Sequence, residues 1–230
     1  MNNLLHIIKY NLKIIFGNRF VYFLGASFIF YLLITGIALF SDNEIGVEDI
    51  YYQLIFPGIL LMFFPTVFGI QNDEDARILE ILFGIPNYRY KVWLVRLAII
   101  FVMVFVIVSI LALFNNFLLV ALPIFEMGAQ LMVVLLLFGS LGFLFSTMVK
   151  NGNGTAVVMV IVGLVLWFFH GTMGQSKWNV FLNPFAPPQN ISETLYQTML
   201  FQNRLIVITV SVVAILWGLI NLQRREKFIK

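Results

Sequence analysis

The chain has 230 residues, of which 61% are hydrophobic and only 11% charged, whereas a water-soluble domain carries about 25% charged residues. Its net charge of +3 is too small to point to nucleic acid, and it has no cysteine, which excludes disulfides and thiolate metal sites. Composition therefore predicts an all-α integral membrane protein whose first partner is the lipid bilayer.

Residues 1–20 read as an amphipathic helix lying in the membrane interface. His6, Lys9 and Lys13 form a narrow polar stripe, and Leu4, Leu5, Ile7, Ile8 and Leu12 fill the rest. The competing reading is the start of a long, bent first span. A spanning helix needs about 20 mostly apolar residues. Six stretches qualify: Val21–Phe40, Gln53–Ile70, Leu97–Phe117, Met127–Val149, Thr155–His170 and Leu205–Leu222, none holding Asp, Glu, Lys or Arg. Together residues 21–222 form the expected six-helix domain, followed by a basic tail at 223–230.

The connections carry their own signals. Between spans two and three lies a loop at residues 71–96, where Asp73, Glu74 and Asp75 open a predicted helix, Asp73–Phe83. Acidic residues favour a helix N-terminus, and Gly84 with Pro86 stops the helix. Lys150-Asn151-Gly152-Asn153-Gly154 reads as a tight turn between spans four and five. The long segment 171–204 contains Pro184, Pro187 and Pro188. Asn190 and Glu193 then stand at capping-box spacing for a short helix running to about Gln202. That segment is expected to be a structured cap or a partly re-entrant hairpin.

Orientation follows from the basic residues, which collect in cytoplasmic loops. With the N-terminus inside, Lys9, Lys13, Arg19, Arg77, Arg89, Lys91, Arg96, Lys150, Arg224, Arg225, Lys227 and Lys230 are cytoplasmic, and only Lys177 and Arg204 lie opposite. Both termini are then cytoplasmic. Asp42, Glu44, Glu48 and Asp49 fall in the first outer loop.

Chemistry is hard to place. No GxxxxGK[ST] loop, HExxH pair or nucleophile elbow occurs, so no catalytic or metal residues are expected. His170 reads as a polar cap near the end of span five, since one imidazole without acidic partners makes no site. Asn190-Ile-Ser192 matches the glycosylation tripeptide, although capping explains it better. Gly139, Gly142 and Ser146 place small residues on successive turns of span four, where another helix can approach closely. Uncharged spans argue against an ion-coupled carrier.

The segment Asp73-Glu-Asp-Ala-Arg77-Ile-Leu-Glu80-Ile-Leu-Phe-Gly-Ile-Pro86-Asn-Tyr-Arg89, followed by Arg96, resembles the loop between spans two and three of the type-2 ABC exporter permeases. Glu80, Pro86 and Arg89 stand where that family has them. Arg77 and Ile78 replace a small residue and Thr, and Arg96 replaces a Lys. The resemblance implies that this loop carries a coupling helix seated in a separate ATPase subunit, with Glu80 and Arg89 pairing to it or bracing the loop. It further implies two ATPase copies, a second permease copy or homologous permease, and a plasma (bacterial inner) membrane location. Spans one and five often form the dimer contact, which makes Gly25 and Gly163 candidates. No cofactor is then expected on this chain, and ATP and Mg belong to the partner subunit. The alternatives are a scaffold or mechanical element of a larger membrane assembly and, least favoured, an intramembrane enzyme.

Overall fold

The computed structural model of the chain describes residues 20–41, 44–75 and 88–223. Among these every regular element is a helix: α1 (Phe20–Leu39), α2 (Val47–Val67), α3 (Gly69–Asp75), a π-helical turn (Arg89–Leu94) running into α4 (Val95–Leu118), α5 (Ile124–Val149), α6 (Gly152–Met173) and α7 (Glu193–Asn221). Six stretches are long and apolar enough to cross a membrane, with α2 and α3 counting as one, Val47–Asp75, and the π-turn and α4 as another, Tyr90–Leu118. The predicted all-α, six-span architecture is thus present. The interfacial helix proposed for 1–20 and the basic tail lie outside the described residues, apart from Phe20 and Gln223.

α5 stands at the centre and packs against α2, α4, α6 and α7. Its small residues explain how closely. A Cβ on Gly139 would lie 2.8 Å from Phe101 and 2.9 Å from Met62, and one on Gly142 would lie 2.6 Å from the Thr66 hydroxyl. Gly58 of α2 and Gly218 of α7 meet α5 in the same way, at Leu135 (2.8 Å) and Phe143 (2.6 Å). The Gly139–Gly142–Ser146 stripe therefore faces helices of its own chain, with Ser146 buried.

α1 is apolar around most of its circumference and turns Ser27, Tyr31 and Thr35 inward. Its buried positions, Phe20, Ser27, Tyr31 and Thr35, fall on one stripe. Ser27 donates to the Pro57 carbonyl (3.0 Å), Tyr31 donates to Asn115 Oδ1 (2.7 Å), and Gln53 donates to Thr35 (2.5 Å). In lipid such side chains gain more from partners in the bundle than from facing hydrocarbon.

Helix boundaries depart from the sequence reading where no breaker stands. α2 begins at Val47, so Glu48 and Asp49 belong to its first turn, where Asp49 accepts from the Gly46 amide (2.9 Å). Pro65, which has no N–H to offer the Leu61 carbonyl, precedes a bend at Phe68, and Gly69 restarts the helix. Asp73, Glu74 and Asp75 therefore lie in a helix that begins at Gly69 and follows on from span two, instead of opening a new one. The stretch Gly69–Asp75 contains no proline and no interior glycine to stop it earlier. The remainder of the predicted Asp73–Phe83 helix, with Gly84, lies outside the described residues.

Lys150, with φ 59°, caps α5, and Asn151 Oδ1 accepts from the Gly154 amide (3.0 Å) to start α6. This is the tight turn expected there. Residues 174–192 form a folded cap in which Asn179 and Asn183 accept from the amides two residues on, Phe181 (3.1 Å) and Phe185 (3.0 Å). The expected Asn190/Glu193 box is not formed, because Ser192 is the N-cap residue. From Glu193 the helix runs unbroken to Asn221, since Gln202-Asn203-Arg204 contains no breaker. The short outer helix and span six are one element.

Candidate functional site

At the end of the bundle where Asp75 and Tyr88 lie, α3 and α4 face each other. Arg96 of α4 donates to Asp73 of α3, with side-chain exposures of 6% and 2%. The Trp93 ring lies 5.0 Å from the Arg96 guanidinium carbon. Around them Ile70, Tyr88, Trp93, Leu97, Phe143, Leu219 and Leu222 form a buried apolar cluster. Three hydrogen bonds fasten this end further. Tyr88 donates its hydroxyl to the Leu222 carbonyl, Gln71 accepts from the Gly152 amide, and Asn221 donates to Thr147 (3.2 Å). The described residues on either side of 76–87 are thus tied into α4, α5, α6 and the end of α7.

Of the predicted loop residues, Asp73 and Arg96 are brought together and buried, Glu74 is half-buried and Asp75 exposed. Arg89 lies in the π-helical turn. Arg77, Glu80 and Pro86 lie outside the described residues. The helices run past the apolar stretches read from sequence, and Asp73, Arg96 and Arg204 lie in those extensions, buried. A charged residue reads as a loop marker in sequence, but a partner from another helix lets it stay within the bundle.

The opposite end centres on Arg204 of α7, which is buried. Its Nε donates to Gln130 (2.9 Å), Nη1 to Asn203 (3.0 Å) and Nη2 to the Leu182 carbonyl (3.1 Å). Tyr51 of α2 lies at a longer 3.4 Å. Asn203 in turn donates to the carbonyls of Lys177 (2.9 Å) and Asn179 (2.8 Å), and Asn183 donates to the Glu48 carbonyl (2.9 Å). Asp73–Arg96 is the ion pair formed among the described residues, so Arg204 is held by neutral acceptors. Sequence reading placed Arg204 in a loop. The signal that could have found it is the spacing of Tyr196, Leu200, Asn203, Arg204, Val207 and Ser211 along one helix face.

His170 is no isolated cap. Its ring stacks on Trp167 (5.5 Å) and meets the edges of Tyr52 (5.7 Å) and Phe181 (5.9 Å). Its Nδ1 lies 3.0 Å from Asn179 Oδ1. Because Asn179 Nδ2 donates to the Gly174 carbonyl (2.6 Å), the oxygen faces the ring, and a neutral His170 carries its proton on Nδ1. Among the described residues no group of His, Asp and Glu could hold a metal ion.

Between α6 on one side and α1 and α2 on the other runs an apolar groove of about 550 Å³, lined by Phe23, Phe56, Phe63, Met159, Gly163 and Trp167 among others. α6 is thus fastened at its two ends, at Gly152 and His170, and stands away from α1 between them. Gly163 opens onto this groove, and a Cβ on Gly25 would meet nothing within 4 Å. No family model, curated protein or solved structure matches this chain.

Proposed function

We propose that this chain is the membrane-spanning permease subunit of an ABC exporter, worked by a separate ATPase subunit that docks on the loop between α3 and α4. The observation that carries this reading is the fastening of that loop's two ends. Asp73–Arg96 joins them to each other, and Tyr88–Leu222 and Gln71–Gly152 join them to α7 and α6. A displacement imposed on the loop therefore reaches several helices through buried contacts, since packed interiors transmit strain. Glu80, Pro86 and Arg89 add the family pattern, and the balance of basic residues makes the loop end cytoplasmic. Both termini then lie inside, with residues 1–20 in the inner interface of the plasma (bacterial inner) membrane. ATP and Mg are bound by the partner, of which two copies serve two permease chains. The contact between those chains uses α1 and α6, where Gly25 leaves room and Gly163 borders the apolar groove.

The test is co-purification with an ATPase subunit and stimulation of its ATP hydrolysis. Glu80→Ala and Arg89→Ala each weaken that association by about 2–5 kcal/mol, the range for truncating one partner of a buried charge pair at an interface. Membrane insertion stays intact, and Lys177→Ala on the opposite side changes neither readout. Engineered cysteines at positions 25 and 163 crosslink two copies. If both loop variants bind and stimulate the ATPase as the parent does, the coupling assignment fails and a scaffold role gains.

A further inference from the structure

Beside the Asp73–Arg96 pair lies a small cavity of about 20 Å³, lined on its polar side by Thr66, Asn72, Asp73, Trp93 and Arg96, with Gly69 at its wall. Apolar side chains of α2, α4 and α5 close the rest. About 10–15 Å³ of such space is enough for one water, provided the water finds two to four polar partners. Two of the lining residues can supply such partners. The Nε1 of Trp93 is buried and has no hydrogen-bond partner among the described residues, and an unmade bond at a buried donor costs about 1–3 kcal/mol. Asp73 accepts from Arg96 through Oδ2, while a carboxylate has about four acceptor positions.

We infer that an ordered water molecule occupies this cavity, accepting a hydrogen bond from Trp93 Nε1 and donating to the Asp73 carboxylate. The ion pair beside it is neutral overall, so nothing there favours a bound ion over a dipole. The water satisfies the orphaned indole and leaves the Asp73 carboxylate partly solvated within the bundle. It also links Trp93, whose ring already lies against Arg96, to Asp73 of α3. This inference stands apart from the exporter reading, because it needs only the described residues.

The experiment uses the full chain in lipid nanodiscs with ¹⁵N-labelled tryptophan, measuring magnetisation transfer from water to each indole N–H by NMR. The chain has four tryptophans. The variant W167F/W178F/W217F leaves Trp93 alone, and Trp93→Phe, which removes its resonance, assigns the signal in the otherwise unaltered chain. The expected result is a long-lived water contact on the Trp93 indole that disappears in Gly69→Ala. A Cβ on Gly69 comes no nearer than 3.9 Å to Trp93, so this variant narrows the cavity without a clash, and the indole resonance itself persists. Absence of the water contact in the parent overturns the inference. A contact that survives unchanged in Gly69→Ala overturns it too, because the water then sits elsewhere.

Discussion

Asp73 and Arg96 are 23 residues apart in sequence, yet their side chains form a buried ion pair that joins α3 to α4. Removing one member of a buried pair leaves the other charge uncompensated and costs about 3–5 kcal/mol. Asp73→Ala and Arg96→Ala should each destabilise the protein by that amount in reversible unfolding from mixed micelles. The double variant Asp73→Leu/Arg96→Met should lose clearly less than the sum of the two. Additive losses would show that the two residues act independently.

Arg204 holds three elements at once, through Gln130, Asn203 and the Leu182 carbonyl. Arg204→Gln leaves buried acceptors unpaired, each at about 1–3 kcal/mol, and should expose residues 174–192 to an added protease before the bundle unfolds. Arg204→Lys should not restore resistance, because an ammonium is a compact point charge without the planar fork of donors. Protection equal to the parent in both variants would mean that the cap is held by other contacts.

Gly142 and Gly25 should answer alike substitutions in opposite ways. Overpacking a filled site costs about 1–3 kcal/mol, and a Cβ at Gly142 would already stand 2.6 Å from the Thr66 hydroxyl. Gly142→Val should lower the unfolding midpoint measurably. Gly25→Ala should leave it unchanged or raise it slightly, since nothing lies within 4 Å and alanine is the better helix former.

Topology gives the fourth expectation. Tags placed at Met1 and Lys230 should both resist a protease added to the outer side, while a tag at Asn43 is cut. One terminus found outside would remove the inside–inside arrangement.

The number of spans was legible in sequence because hydrocarbon selects for long apolar runs, and all six runs correspond to helices. The turn at Lys150–Asn151 was legible as well, because glycine and asparagine supply the conformations that a tight reversal needs. The helix ends were not. Val47–Gln53 and Tyr90–Arg96 contain polar or charged residues that suggest loop, and the stretch from Glu193 to about Gln202 reads as a short helix of its own, yet nothing in them breaks a helix. The burial of Asp73, Arg96 and Arg204 was not legible for one shared reason: most of their partners lie elsewhere in the chain, and a single stretch of sequence does not display them. The small-residue stripe of span four was legible as a close-packing face, while its target, α2 of the same chain together with α4, emerged only from the folded bundle.

The inward polar stripe of α1 has a consequence for biosynthesis. Tyr31 finds its acceptor Asn115 84 residues downstream, whereas Ser27 and Thr35 meet α2 after 30 and 18 residues. As the chain enters the bilayer helix by helix, α1 can dock on α2 while the ribosome is still translating the loop that follows. Its tyrosine hydroxyl must wait until α4 has been inserted. The first span is therefore fully seated only after the third has been inserted, and its final placement reports that the first half of the chain has been threaded correctly.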